Sequence, residues 1–387
     1  MTKKRLKVAV YTATRAEYGL LRPLLGKINT HPVMELHLIV SGTHFLEQFG
    51  ATFDEILEDD WPIVHAMDLS KEGCTPPPEV TLSQTIERLS AILKEIAPDV
   101  MVVMGDRFEL LAVAACCTTL RVPIAHISGG EITEGAFDDQ VRHALTKLAH
   151  IHFVASNLFQ RRVLQMGEED WRVVISGEPG LDGIYGERLP LTQLEAELGI
   201  KLGAGSAIVT LHPTTQEADE LPHQLSLFIT SLRKAGLRYL ITYPNMDPGH
   251  ELIISAMKDF VATYREAVFV PSLGSRKYYT ALENVDVMIG NSSSGLVEAP
   301  SLGVPVINVG SRQDGRPRAA NVFDCPFEEA NLLDAISSIS DFGRKSVDNP
   351  FFVEDSAARV CEGLADLLLN RTNLQVLRKK FVDVTAL

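Results

Sequence analysis

Carboxylates and anion-binding groups recur in this chain at one kind of place, just past a run with the character of a buried strand. In VVMGDRFELLAVAACC the apolar run ends at Met104, a glycine turns the chain, and Asp106 and Arg107 follow. In HISGGEITEGAFDDQVRHA, His126 to Ala144, Gly129 and Gly130 permit a sharp turn where a side chain would obstruct a ligand. Glu131 comes next, then Asp138, Arg142 and His143 at the start of a helix. Two successive strand ends that each deliver a carboxylate place Asp106 and Glu131 on adjacent positions of one rim. Paired acids whose surroundings separate their pKa values are what proton transfer at carbon requires.

A second group of residues suits a phosphate. In VDVMIGNSSSGLVEAPSLGVPVINVG, Asn291, Ser292, Ser293 and Ser294 open a helix directly after a strand. Free backbone N–H groups and hydroxyls together make an anion site fit for a diphosphate there. Glu298, about one turn on, is placed to hold a ribose or sugar hydroxyl. GSRQDGRPRAAN adds Arg312, Arg316 and Arg318 in a loop, and Arg107 can meet a phosphate bidentately. His212 in VTLHPTT and Asn245 in ITYPNMDPG end two further strands, while Arg15 in YTATRAEYGLL and His44 in SGTHFLEQFG lie in the first two strand-to-helix loops.

Taken singly, each of these residues has an ordinary structural explanation. Asp is a favoured N-cap, so Asp106 and Asp138 each suit a helix start, Asp138 with Arg142 as its i,i+4 partner. Asn and Ser cap helices too, and a lone His is more often a satisfied structural residue than a catalyst. Repetition at successive strand ends is what favours chemistry.

The elements that must position these residues read as LKVAVYT, ELHLIV, DVMVVMG, VPIAHI, IHFVAS and RVVISG, mostly separated by helical stretches. The same grammar restarts with SAIVTLHP, LRYLITYP, AVFVPS, VDVMIGN and VPVINVG. Strands of nearly continuous Val, Ile, Leu and Met belong to parallel sheets buried on both faces. Between the sets lies GEPGLDGIYGERLPLTQLEAELGIKLGAGS, rich in Gly and Pro. A chain of 387 residues accommodates two cores. The expected fold is α/β, with two doubly wound Rossmann-like domains, residues 1–185 and 186–365, facing each other across a cleft with their strand C-termini. The last segments, EDSAARVCEGLADLLLN and NLQVLRKKFV, have apolar residues at helical spacing, and a C-terminal helix within 366–387 is expected to cross back to the first domain.

Composition removes several function classes. With 45% apolar and 22% charged residues, the chain has no run near the ~18 apolar residues of a membrane span. Its amino terminus reads as a first strand rather than a signal peptide. A net charge of -14 disfavours nucleic-acid or acidic-membrane partners. Five Cys without a CxxC pair indicate neither disulfides nor zinc and fit a reducing cytoplasm. The lack of GxGxxG after the first strand, and of a Walker loop, disfavours a dinucleotide oxidoreductase and a P-loop NTPase.

Taken in order, TRAEYG, GDRFE, GGEIT with DDQVRHALTKLAHIHFVAS, LHPTT, YPNMD and GNSSSGLVEAPSLGVPVINVGSRQDGR resemble the hydrolysing UDP-N-acetylglucosamine 2-epimerases of sialic acid and related nonulosonate biosynthesis. The resemblance spans almost the whole chain. It implies a glycosyltransferase-B-like architecture with UDP held mainly by the second domain, and a homodimer or homotetramer. It carries over Asp106 and Asp138 as catalytic acids and His212 as the active-site His. Arg15, Arg107, Asn245, Ser292, Ser293, Glu298 and Arg312 carry over as nucleotide-sugar contacts. Glu131 joins the catalytic set, and His44, Asp182, Ser294 and Arg316 join the substrate-binding set. At Ser128 many members have a catalytic Glu in an HIEGGE pattern, so here the base is either Glu131 or another group.

The chemistry so implied is loss of UDP from C1 with removal of the C2 proton to give a glycal. Water then adds at C1 while a proton returns to C2 on the other face, with no metal or other cofactor required. UDP-N-acetylglucosamine, giving N-acetylmannosamine and UDP, is the expected substrate. UDP-2,4-diacetamido-2,4,6-trideoxyglucose, of the legionaminic acid pathway, differs by a few pocket contacts only. A UDP-sugar glycosyltransferase of the same architecture and a nucleotide-sugar sensor are the rivals from other classes.

Overall fold

Strands without polar alternation pair in parallel and are covered on both faces by helices, and this decides the architecture twice over. The computed structural model describes residues 5–47, 52–71, 73–74 and 76–383. The chain folds as two units, one of residues 1–131, 138–183 and 351–387, the other of residues 132–137 and 184–350.

In the first unit the order is β1 (Leu6–Thr12), α1 (Arg15–Thr30), β2 (Met34–Val40), α2 (Phe53–Glu58), β3 (Val64–Ala66), α3 (Pro78–Ile96), β4 (Val100–Met104), α4 (Glu109–Leu120), β5 (Ile124–Ile127), α5 (Asp138–Leu148), β6 (Ile151–Val154), α6 (Asn157–Gln165) and β7 (Val173–Ile175). Among the described residues these strands form a parallel sheet ordered β3-β2-β1-β4-β5-β6-β7. Strand order reverses between β1 and β4, the switch point where α/β sheets open a crevice for ligands. Thr14 caps α1 in a reciprocal capping box with Glu17. Tyr18, Leu21, Leu25 and Ile28 then turn one face of α1 into a core shared with Val8 and Val10 of β1.

The second unit runs α7 (Leu191–Leu198), β8 (Gly203–Thr210), α8 (Leu221–Ala235), β9 (Arg238–Thr242), α9 (His250–Thr263), β10 (Ala267–Val270), α10 (Gly274–Asn284), β11 (Val285–Gly290), α11 (Ser294–Val297), β12 (Val306–Val309), β13 (Val322–Cys325) and α12 (Glu329–Phe342). Its described strands are again all parallel, ordered β10-β9-β8-β11-β12-β13, with the switch between β8 and β11. The chain then returns to the first unit with α13 (Ser356–Leu369) and α14 (Asn373–Leu377).

The structure departs from the sequence expectation in four places. The units divide at residues 183 and 184, where the expected boundary followed residue 185, and the return to the first unit begins at Phe351, where residue 366 was expected. Ala357, Val360, Cys361 and Leu364 of α13 complete the core of β1 and α1, which moves that helix from the second domain to the first. Residues 132–137 belong to the second unit although they lie between β5 and α5 in sequence. NLQVLRKKFV is helical only over Asn373–Leu377.

Arg172 accounts for that last departure. Fully buried, it donates to the carbonyls of His150 (2.9 Å), Val376 (2.8 Å) and Arg378 (2.6 Å) and to Glu169 (2.7 Å). Lys379 in turn reaches the carbonyls of Lys147 (2.8 Å) and Ala149 (2.6 Å) at the end of α5. These bonds take up tail carbonyls that a continued helix would use internally. Among the described residues no helix is long and apolar enough to cross a membrane.

Arg172→Met should remove about 3 kcal/mol of stability, since it strands the partners of a buried charge. Urea unfolding measures the loss, and limited trypsin digestion should then cut the C-terminal tail at Lys379 faster than in the parent chain.

Candidate active site

In the first unit the turns after β4 and β5 carry the acids. Asp106 is not a helix cap, because α4 begins at Glu109 with Phe108 in the N-cap position. Its carboxylate is instead ion-paired with Arg142 Nη2, and Asp139 lies 3.7 Å from Arg142 Nη1. The side chain of Arg142 is 1% exposed. Burial by itself would weaken its charge, yet the fields of Asp106, Glu131, Asp139 and Asp138 override that and hold its pKa above the ordinary value. Arg142, the i,i+4 neighbour of Asp138, thus also serves Asp106 from the turn after β4, and His143 pairs with Asp139 at 3.3 Å.

The turns are braced from beneath. Burial lowers the pKa of His126 to about 3; the neutral ring donates from Nε2 to the carbonyl of Gly105 (2.7 Å), which steadies the turn carrying Asp106. The Thr146 hydroxyl donates to the carbonyl of Arg142 (3.0 Å) and lies 3.4 Å from His126 Nδ1. A side chain at Gly130, φ +77°, would meet the Phe159 carbonyl oxygen at 2.5 Å, so space as well as backbone conformation demands glycine before the buried Glu131.

Of the other first-unit candidates, Arg15 opens α1 and is half-buried, and Arg107 bonds Glu109 (2.9 Å). Desolvation pushes Glu17 up to about 7, and Arg107 opposes the shift. Two candidates have side-chain atoms engaged within the first unit. His44 is 0% exposed, with Nε2 on the Thr12 hydroxyl (3.0 Å) and Nδ1 on that of Thr52 (2.7 Å), so both ring nitrogens are used inside the core. The Asp182 carboxylate accepts from the backbone N–H of Ser356 (3.1 Å) and Ala357 (2.8 Å) at the start of α13.

In the second unit Asn291, 0% exposed, pins the switch point. Its Oδ1 accepts from the His212 N–H (2.7 Å), its Nδ2 donates to the His212 carbonyl (2.9 Å), and its own carbonyl accepts from Arg312 (3.2 Å) and Gln313 (2.8 Å). The Asn245 N–H donates to His212 Nδ1 at 3.0 Å. That bond assigns the proton of the neutral imidazole to Nε2, making His212 a hydrogen-bond donor at that atom.

The serine run is shorter in reach than its sequence suggests. Pro300 cannot continue a helix, and α11 ends at Val297, so little helix dipole stands behind Ser292 and Ser293, both half-buried. Ser294 turns inward, its hydroxyl 2.5 Å from that of Tyr278 and bonded to Glu298. Desolvation pushes Glu298 up to about 7, against Ser294 and the charge of Arg316. Arg318 braces its loop, donating to the carbonyls of Gln313 and Arg316 (2.6 Å each) and pairing with Asp324 (3.1 Å). Residues 132–137 dock on this same loop: the Glu134 N–H donates to the Asp314 carbonyl (3.2 Å), and a side chain at Gly135 would lie 2.7 Å from Arg312 Cα.

The family model described as UDP-N-acetylglucosamine 2-epimerase matches residues 26–365. The chain belongs to this family. A UDP-N-acetylglucosamine 2-epimerase of Neisseria meningitidis serogroup B is 33% identical over 380 residues, 98% of this chain and 99% of its own. A hydrolysing GDP/UDP-N,N'-diacetylbacillosamine 2-epimerase of Campylobacter jejuni is 34% identical, with 85% of each chain covered. Among solved structures, a Neisseria meningitidis UDP-GlcNAc 2-epimerase bound to UDP-GlcNAc has a TM-score of 0.79 at 15% identity, covering 93% of this chain and 100% of that one. This last likeness shows the fold.

Within this member of the epimerase family, one carboxylate of the first unit, Glu178, is not among the residues that the sequence singles out. The Ser128 hydroxyl donates to both carboxylate oxygens of Glu178, at 2.9 Å each. The available signal was SGEPG after RVVISG, one more strand end that delivers a carboxylate.

Glu298 gives a pH test. Because its folded pKa is raised to about 7 from 4.5, its contribution to stability is complete below 4.5 and is lost as pH rises through 7. Glu298→Gln, neutral throughout, should be more stable than the parent by on the order of 1 kcal/mol at about pH 8. Near pH 4.5 the two should be level, as read by urea unfolding at both pH values.

Proposed function

We propose that the chain is a hydrolysing 2-epimerase of UDP-2-acetamido sugars, converting UDP-N-acetylglucosamine to N-acetylmannosamine and UDP. The observation that carries this reading is the cluster of carboxylates around buried Arg142, with Asp106 held against the guanidinium at the end of β4. A guanidinium favours the ionised form of the carboxylates packed around it, which suits Asp106, with Glu131 beside it, to take a proton from C2. Asp138 stands at the start of α5 as a further acid for the water.

In the second unit, His212 donates through Nε2 to the departing phosphate. Ser292, Ser293, Arg312 and Arg316 offer hydroxyl and guanidinium donors to the diphosphate, and Glu298 and Asn245 serve the nucleoside and sugar hydroxyls. Arg15 and Arg107 add positive charge on the first unit. As UDP leaves C1, positive charge develops there and acidifies the C2 proton; its removal gives a glycal. Water then adds at C1 and a proton returns to C2 from the opposite face. Donors aimed at charge as it develops on the leaving group supply the electrostatic part of such catalysis.

A second substrate is kept, UDP-2,4-diacetamido-2,4,6-trideoxyglucose. The 34% and 32% identities to relatives named as hydrolysing diacetylbacillosamine 2-epimerases, from Campylobacter jejuni and Legionella pneumophila, support it. Incubation with each nucleotide sugar and identification of the free sugar separates the two.

In deuterated water the free sugar should carry deuterium at C2; turnover without it would instead indicate glycosyl transfer or simple hydrolysis. Asp106→Asn keeps an oxygen for Arg142 and should lower sugar release about a thousandfold, while UDP affinity by calorimetry changes less than about threefold.

A further inference from the structure

The reaction needs a proton to leave C2 on one face and another to arrive on the opposite face. The carboxylates that surround Arg142 are suited to accept, since its field favours their charged form. The arriving proton calls for a second group, and the turn that also delivers Glu131 has the geometry of one.

Ser128 follows β5 with φ +64°. Of the described non-glycine residues with positive φ, Ala97 and Arg121 are helix C-caps, Asp355 is a helix N-cap and Asp60 sits in the turn that ends α2. Ser128 alone among them stands at the C-terminal end of a strand. A left-handed Ser costs on the order of 1 kcal/mol and persists only where its surroundings over-determine it. Here the Ser128 N–H is held by the Phe153 carbonyl at 3.0 Å, and its hydroxyl by both oxygens of Glu178 at 2.9 Å. Glu178 is itself fixed, 5% exposed, with its N–H on the Phe351 carbonyl at 3.0 Å. A buried carboxylate facing a strained hydroxyl, beside the turn that delivers Glu131, is a proton-relay arrangement.

We propose that Ser128 and Glu178 form a second proton station of the first unit, in which the Ser128 hydroxyl meets C2 of the glycal and Glu178 is the positioning residue that holds and recharges it. This rests on the function proposed above. For this step Glu178 takes a proton from solvent and turns from acceptor to donor: the C1–C2 π electrons form the new C2–H bond with the Ser128 hydroxyl proton, and the Glu178 carboxylic acid passes its own proton to the Ser128 oxygen. Water forms the C1–O bond and loses a proton to a carboxylate of the Arg142 cluster. Exchange with solvent then returns a proton to Glu178 and removes one from the accepting carboxylate, so one water is consumed and no other reactant is needed.

The test compares Ser128→Gly, Ser128→Ala and Glu178→Gln with the parent on UDP-N-acetylglucosamine, quantifying UDP, free sugar and 2-acetamido glycal in each. Glycine adopts positive φ freely, so Ser128→Gly removes the hydroxyl without backbone strain. In Ser128→Gly and Glu178→Gln, UDP release should stay within about tenfold of the parent, as elimination does not use this pair. Free sugar should fall about a hundredfold, the lower end of what a positioned acid contributes, and glycal should appear in place of the missing sugar. Equal amounts of UDP and free sugar in every variant would overturn the proposal. So would a parallel loss of both products in Ser128→Gly at an unchanged melting temperature, which would mark the turn as structural. Absence of UDP release by the parent chain would overturn the underlying function instead, and this proposal with it.

Discussion

A guanidinium buried among backbone and apolar side chains is tolerable only if carboxylates gather round it. Arg142 imposes that condition on the first unit. Asp106 comes to it from the turn after β4, Glu131 from the turn after β5, and Asp138 and Asp139 from its own helix. Three separate segments are thereby drawn to one place at the C-terminal ends of β4 and β5. The acids that the proposed proton transfer would use are also the counter-ions that let Arg142 be buried, so the stability of this region rests on those same charges.

The second unit solves its equivalent problem without net charge. Asn291, sealed between the ends of β8 and β11, satisfies backbone groups of His212 and takes the side chains of Arg312 and Gln313 on its carbonyl. With Nδ1 of His212 accepting from Asn245, the ring is oriented and its tautomer chosen by backbone geometry. The His212 ring and the carboxylates around Arg142 are thus held by different means, one by amide pairing and the other by ion pairing.

Several residues that look alike in sequence are separated by where they are buried. His44 and His212 both follow buried strands, yet His44 has both ring nitrogens on threonine hydroxyls inside the core and His212 holds its Nε2 as a donor. Asp106 and Asp182 both follow strand ends, yet Asp182 caps α13, a helix far along the chain. Ser294 differs from Ser292 and Ser293 in the same way, turned toward Tyr278 and Glu298. The edge strands β3 and β13 were unreadable because VHA and VFDC are short and largely uncovered, and so lack the unbroken apolar run of a central strand.

What the sequence alone determined was local in origin: the central strands, the helices between them, the two-fold repetition of the α/β pattern, and the carboxylates, serines and arginines at strand ends. Each follows from a periodicity or a turn preference expressed within about 15 residues. Only the tertiary structure decided which acid Arg142 neutralises, that α13 returns to the first core, that Arg172 straightens the tail, and that Ser128 answers to Glu178. These depend on pairings between residues distant in the chain, whose value comes from burial; a charge or hydroxyl carries no mark in the sequence of the depth at which folding will leave it.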